Sequence, residues 1–133
     1  MAEETRERVL APKGSSKTIN LGGRSVTAFA AVHHSGAGPG LLLISDRDTL
    51  DAGIEARANL FGQEGYSVLA VPNGLTASDI VEAAQVLRDL PATEEKIAAV
   101  AHGDGGMLAL QAATDAKFEA VIVFDVMPLA GEN

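Results

Sequence analysis

Short apolar runs alternate with segments of helical periodicity from residue 41 onward, and this alternation restricts the fold more than any other feature of the sequence. Each run has four or five residues and is uniformly apolar, which is typical of strands buried on both faces of a parallel sheet. Successive strand, helix and strand units require right-handed crossovers with helices on both faces. The sequence therefore predicts a three-layer α/β domain, with strands at Leu41–Ile44, Val68–Val71, Ile97–Ala101 and Ala120–Phe124.

Capping residues and apolar spacing predict three helices between these strands. The first two start at side chains that accept hydrogen bonds from free helix N–H groups, and the first stops at a glycine suited to a left-handed C-terminal position. The predicted helices run from a cap at Asp48 or Thr49 to Gly65, from a cap at Thr76 to Pro91, and from about Asp104 to about Thr114.

The N-terminal part contains two further predicted strands. Lys17–Leu21 and Ser25–Val32 are joined by Gly22–Gly23, which is typical of a tight hairpin turn. A flexible loop, His33–Gly40, follows the hairpin. Residues 1–16 are polar, charged and interrupted by proline and glycine, so we expect a mobile N-terminal arm followed by one domain at 17–133.

Composition excludes several classes of function. The 133 residues contain no apolar run near the ~20 residues that a membrane span needs, so we expect a soluble domain without membrane contact. A net charge of -8 and the lack of a basic stripe oppose nucleic-acid binding. The absence of cysteine excludes disulfides and thiolate chemistry. The charged N-terminus is unlike a signal peptide, and a cytoplasmic location is the expectation.

The segment Lys96–Gly106 has the outline of a nucleophile elbow. In such an elbow an apolar strand ends in a sharp turn between small residues, and a helix begins at once, so the central side chain projects alone into a cleft. Gly103 holds the central position, with Ala101 and Gly105 as the small neighbours. Glycine has no side chain, so this position supplies no nucleophile.

From about Gly40 to Val126 the order of elements resembles the dienelactone hydrolase family of the α/β-hydrolase fold. The resemblance implies a mostly parallel sheet of about six strands in the order 1-2-4-3-5-6, lacking the last two strands of the family. It also implies attack on an ester or lactone by cysteine or serine, with a histidine base and an orienting aspartate. The matching segments are Leu41–Ile44 with the acidic Asp46 after it, Arg57–Tyr66 ending in Gln-Glu-Gly-Tyr, Ser67–Pro72, and the elbow.

Departures from the family pattern predict that hydrolysis has been lost. Gly103 replaces the nucleophile, and no histidine follows His102, although the family's acid and histidine come after the sixth strand. Only three residues separate Pro72 from Thr76, where the family has a long loop and helix. A register with Asp104 as nucleophile puts the bulky His102 where a small residue is needed. We expect a non-catalytic subunit or scaffold; the alternatives are a small ester or lactone hydrolase completed across an interface and a small-molecule binding module.

A candidate ligand site lies at the carboxyl end of the predicted sheet, where open α/β sheets bind ligands. The backbone N–H of Asp104, in the first turn of a helix, suits an anion. Asp46 matches the family's acidic residue beside the nucleophile. We favour a solvated turn here, with Asp48 or Thr49 capping the helix; the alternative is that Asp46 pairs with Arg47 or His102. We expect no cofactor and no metal, because these side chains lack ligand spacing. The candidate residues are Asp46, Arg47, His102, Gly103 and Asp104.

The predicted final strand, Ala120–Phe124, would form an apolar sheet edge with unpaired backbone groups. Only Asp125 and Pro128 are placed to discourage pairing there. Covering some hundreds of Å² of apolar surface at ~25 cal/mol per Å² gives several kcal/mol. We therefore expect a homo- or hetero-oligomer formed through this edge.

Overall fold

The computed structural model describes residues 14–32, 38–90, 93–103 and 105–124. No helix in these ranges has the length and apolar character needed to cross a membrane. The elements in chain order are β1 (Ser15–Leu21), β2 (Arg24–Val32), β3 (Gly38–Ile44), α1 (Ala52–Gln63), β4 (Ser67–Val71), α2 (Ala77–Asp89), β5 (Thr93–His102), α3 (Gly105–Ala116) and β6 (Val121–Phe124).

The strands form one sheet in the order β1-β2-β4-β3-β5-β6, which confirms the predicted order. β3 pairs in parallel with β4 and β5, and β5 pairs in parallel with β6. The pairs β1–β2 and β2–β4 are antiparallel. The sheet is therefore mixed, and the expectation of a mostly parallel sheet was too strong, because the N-terminal hairpin joins β4 with its second strand running in the opposite direction.

Helices cover the two faces of the sheet unequally. Side chains of Leu42 and Ile44 face α2 and α3, whereas Leu41 and Leu43 face α1. The alternation follows from the two-residue period of a strand, and both faces of the apolar runs in β3 and β4 are buried, as predicted. The run in β6 is partly exposed, because β6 forms the edge of the sheet, so the prediction of burial on both faces was wrong there. The α1 face carries one helix beside β2 and β4, so the β5–β6 end of that face has no helix over it among the described residues.

The first helix begins later than the sequence predicted. Its cap is Asp51, whose side chain accepts a 3.1 Å hydrogen bond from the Ile54 N–H, rather than Asp48 or Thr49. A capping side chain must accept from an N–H in the first helical turn. The connection after β3 is long enough that the helix starts at residue 52, so Asp51 is the residue in the capping position. The predicted end at Gly65 is confirmed by its φ of +108°.

The hairpin is fixed to the start of α2. Thr76 and Asp79 form the capping box, in which each side chain accepts from the other's backbone N–H. The buried Asp79 carboxylate also accepts a 2.7 Å hydrogen bond from Arg24 Nη2, on the second strand of the hairpin. The turn residues Gly22 and Gly23 have φ values of +63° and +82°, which confirms the predicted tight turn.

Three strands extend beyond their apolar runs. β1 begins at Ser15, inside the predicted arm, and β5 begins at Thr93. β3 begins at Gly38, so Gly38–Gly40 belong to a strand and their assignment to a loop was wrong. Residues 1–13 of the arm, the histidines at 33 and 34, and Pro91 lie outside the described residues.

Candidate functional site

The turn between β5 and α3 has the backbone geometry of an elbow. Gly103 has a φ of +57°, a left-handed conformation that glycine adopts without steric cost. Its N–H donates to the Phe124 carbonyl at 2.9 Å, and its carbonyl accepts from the Gly106 N–H at 3.1 Å. The strand therefore stays paired up to the turn, and the helix starts directly after it.

Asp46 lies beside the elbow glycine. A Cβ placed on Gly103 would be 3.1 Å from the Asp46 Cβ and 3.6 Å from its Oδ2. The end of β3 sets this position, since the Ser45 N–H donates to the Val71 carbonyl at 3.0 Å. The structure thus brings together Asp46 and position 103, as the resemblance implied.

Arg47 points away from this pair. Its backbone N–H donates to Ser45 Oγ at 3.0 Å, and its Nε lies 3.9 Å from Asp51 Oδ2 near the start of α1. Arg47 therefore pairs with Asp51, where the sequence analysis had offered Asp46 as its partner. Asp104, the fifth candidate residue, lies outside the described residues.

One ring nitrogen of His102 contacts Arg57 and the other is buried. Nε2 lies 2.7 Å from Arg57 Nη1, and because a guanidinium only donates, Nε2 is the acceptor and the proton resides on Nδ1. Nδ1 is buried and has no hydrogen-bond partner among the described residues. The ring also stacks on Phe124, with centroids 5.3 Å apart and planes at 26°.

The surroundings of His102 lower its pKa below the ordinary value. Burial is the main cause, and the Arg57 charge adds to it. The Ile44 main chain, near the ring but outside hydrogen-bond geometry, and the Asp46 carboxylate oppose the shift without reversing it. His102 is therefore neutral at pH 7, and neither nitrogen is placed to take a proton from an attacking group.

The lowered pKa makes stability depend on pH. The unfolded chain binds a proton at His102 near pH 6.5, before the folded chain does, so the stability present above that pH is lost as the pH falls below it. We expect His102→Gln to lose less stability than the parent protein between pH 7 and pH 5.5. Urea unfolding followed by far-UV circular dichroism at both pH values measures this; equal losses in the two proteins would contradict it.

An apolar groove lies under His102 on the α1 face of the sheet. Its volume is about 590 Å³, and most of its lining comes from side chains of α1 and from the ends of β5 and β6. We call it the α1–β6 groove. The residues that line it are Arg57, Leu60, Phe61, Glu64, Val100, His102 and Phe124.

The sequence analysis identified one of these lining residues, His102, and missed Arg57. Arg57 opens the segment that matches the hydrolase family, but no local motif marks it, since it meets His102 across 45 positions. Among the described residues, no three His, Asp or Glu side chains converge in a way that would hold a metal ion. The arrangement offers a guanidinium, a neutral imidazole and apolar surface.

Comparison with known proteins gives matches at the level of structure. No protein-family model and no curated protein sequence matches the chain. A dienelactone hydrolase-like promiscuous phosphotriesterase from metagenomic libraries matches with a TM-score of 0.71 and 20% identity, over 86% of this chain and 59% of that one. A dienelactone hydrolase from Anabaena variabilis matches with a TM-score of 0.69 and 19% identity, over 85% and 63%.

A cold-adapted esterase from an Arctic intertidal metagenomic library also matches, with a TM-score of 0.67 and 16% identity, over 86% of this chain and 61% of that one. The chain thus spans about three fifths of the length of each of these three structures. The three matches cover 85–86% of this chain. The chain therefore has the α/β-hydrolase fold, in the arrangement that dienelactone hydrolase-like proteins and related esterases share.

Proposed function

We propose that this chain is a non-catalytic dienelactone hydrolase-like module that acts by associating with a second copy of itself or with a partner protein. The observation that carries the proposal is that the elbow lacks a nucleophilic side chain. The backbone turn is formed at Gly103, but no side chain projects from it. The neighbouring imidazole is held by Arg57.

Hydrolysis by this fold needs an activated nucleophile, which means a hydroxyl or thiol within reach of a base. Gly103 offers neither group. His102 is the one histidine among the described residues, and its Nε2 lone pair accepts from Arg57 while Nδ1 is buried. Ser45 is buried and its Oγ accepts from the Arg47 N–H. These contacts support a site without nucleophilic catalysis.

The β6 edge supports the association half of the proposal. β6 pairs with β5 on one side, and no strand among the described residues pairs with its other side. Ile122, Val123 and Phe124 are 49%, 40% and 52% exposed. An unblocked apolar edge strand is a template for pairing with another chain.

An assay with an activated ester distinguishes this proposal from the alternative that the protein is an active hydrolase. We expect no saturable release of p-nitrophenol from p-nitrophenyl acetate by the wild-type protein, and the same result for His102→Ala. Gly103→Ser places a hydroxyl at the elbow without a base, so it should also show no turnover, and its left-handed backbone costs about 1–2 kcal/mol of stability. Wild-type turnover that disappears in His102→Ala would refute the non-catalytic assignment.

A further inference from the structure

Among the described residues, Arg57 has no carboxylate partner. Arg24 and Arg47 form ion pairs with Asp79 and Asp51, whereas the contact of Arg57 within the described residues is the neutral His102 ring. The chain as a whole carries a net charge of -8, so carboxylates are abundant. The Arg57 guanidinium carries five N–H groups and donates one of them to His102, so its other N–H groups can bind a ligand.

This guanidinium lies at one end of the α1–β6 groove. Leu60, Phe61, Val100 and Phe124 form the apolar wall, and the volume of about 590 Å³ is within the range of small-molecule sites. Leu60 is 60% exposed and Phe124 52% exposed, so the groove presents apolar surface that nothing in the described residues covers. Apolar walls with one convergent charged group are typical of ligand sites.

We propose that the α1–β6 groove binds a small amphiphilic monocarboxylate, with the carboxylate on Arg57 and the apolar chain along Leu60, Phe61 and Phe124. Planar guanidinium groups match carboxylates with two parallel hydrogen bonds, which favours this head group. The proposal goes beyond the proposed function and does not depend on it.

Glu64 fixes the direction and length of the ligand. It is the C-cap residue of α1, seven residues after Arg57, which corresponds to about 10 Å along the helix axis. A carboxylate at the Glu64 end would meet a like charge, so the head group belongs at the Arg57 end. A second carboxylate at the far end of the ligand is excluded for the same reason, which restricts the class to monocarboxylates of short or medium length.

His102 positions the guanidinium. Its ring stacks on Phe124, and Nε2 accepts from Arg57 Nη1 at 2.7 Å. The imidazole thus holds the cation against the apolar wall and neutralises none of its charge. The groove lies on a face of the sheet, whereas the free backbone groups of β6 lie in the plane of the sheet, so the ligand leaves the hydrogen-bonding groups of the edge free.

A matched pair of probes tests the proposal: octanoate and 1-octanol, titrated into the 133-residue protein at pH 7.5 by calorimetry. A charge-assisted pair with Arg57 predicts that octanoate binds about tenfold or more tightly than 1-octanol. Amide chemical shifts should move in α1, β5 and β6. Equal affinities, no saturable octanoate binding, or shifts confined to other elements would each overturn the proposal.

Variants at the two ends of the groove complete the test. Arg57→Gln should remove the preference for octanoate and leave 1-octanol affinity within about twofold, because the apolar wall is unchanged. Arg57→Lys, which keeps the charge and loses the planar fork, should fall between the two. Glu64→Gln removes the like charge at the far end and should strengthen octanoate binding. Lys17→Gln, which removes a cation from an exposed position of β1 outside the groove, is the matched control and should leave octanoate affinity within about twofold. Octanoate binding that survives Arg57→Gln unchanged would refute the assigned head-group contact.

Discussion

Gly38→Val is expected to lower the free energy of unfolding by about 3 kcal/mol or more, the upper part of the range for overpacked interiors. A Cβ at position 38 would overlap the Gly65 carbonyl oxygen and lie 3.1 Å from the Gly65 carbonyl carbon. These are backbone atoms of the turn that ends α1, and hydrogen bonds from Gly65 and Tyr66 back to the helix hold them in place. A flexible side chain would move aside, but this turn moves only by separating α1 from the sheet.

Pro39 provides the control for this substitution. It lies between the two buried glycines of β3 and is itself exposed, so Pro39→Val adds the same side chain without a backbone collision. We expect a change of about 1 kcal/mol at most, from the greater freedom of the unfolded chain. Urea denaturation followed by far-UV circular dichroism compares the two variants. Equal stabilities would show that the close approach of β3 to the α1–β4 turn does not constrain residue 38.

These glycines show where sequence patterns stop predicting the fold. The segment 36–40 has the glycine-rich composition of a loop, but Gly38 and Gly40 lie in β3. These two strand positions are glycines because neighbouring elements occupy the space that a side chain would need. At Gly40 a Cβ would be 2.6 Å from Ile97 Cγ2 and 3.0 Å from Thr93 Cγ2. Both neighbours belong to β5, more than fifty positions later in the chain. The composition around residue 40 therefore cannot indicate that β5 side chains pack this close to the backbone.

Features that depend on near neighbours were predictable. The Thr76–Asp79 capping box spans four positions. A uniformly apolar run indicates a strand that is buried on both faces. The elbow was also visible, since strand, glycine and helix are contiguous around Gly103. Strand order came from the resemblance to a known fold.

The candidate site was predictable only in part, for the same physical reason. Asp46 and Gly103 were named from the family pattern, and the structure places them in contact range. Arg57 was not named, because its contact with His102 requires knowing that its side chain reaches from α1 to the end of β5. The partner of Arg47 also depended on geometry, since the start of α1 at residue 52 brings Asp51 within reach.

Register limits how β6 can pair with a second copy. Phe124 lines the groove on the α1 face, and Val123 contacts Gly106 of α3, so Ile122 faces the α1 side and Val123 the α3 side. Directly opposed residues in an antiparallel pair project from the same face of the sheet. A symmetric antiparallel pair that continues both faces is centred on a single residue of β6, and we propose Val123, which places Ile122 of each copy opposite Phe124 of the other.

Ile122→Lys is expected to weaken this self-association about a hundredfold or more, because a lysine ammonium against the second copy's Phe124 is desolvated without a partner. The direction of the change is diagnostic. Adding a positive charge to a chain of net charge -8 reduces the repulsion between two copies, so a general charge effect would strengthen association. Weakening therefore identifies a local contact at β6.

Sedimentation equilibrium over a range of concentrations measures the effect. The wild-type protein should approach twice the monomer mass as its concentration rises, and Ile122→Lys should remain monomeric over the same range. Thr18→Lys adds the same charge to an exposed position of β1, the opposite edge of the sheet, and should associate at least as well as the wild type. A monomeric wild-type protein at every concentration, or equal weakening by the two lysines, would exclude self-association through β6.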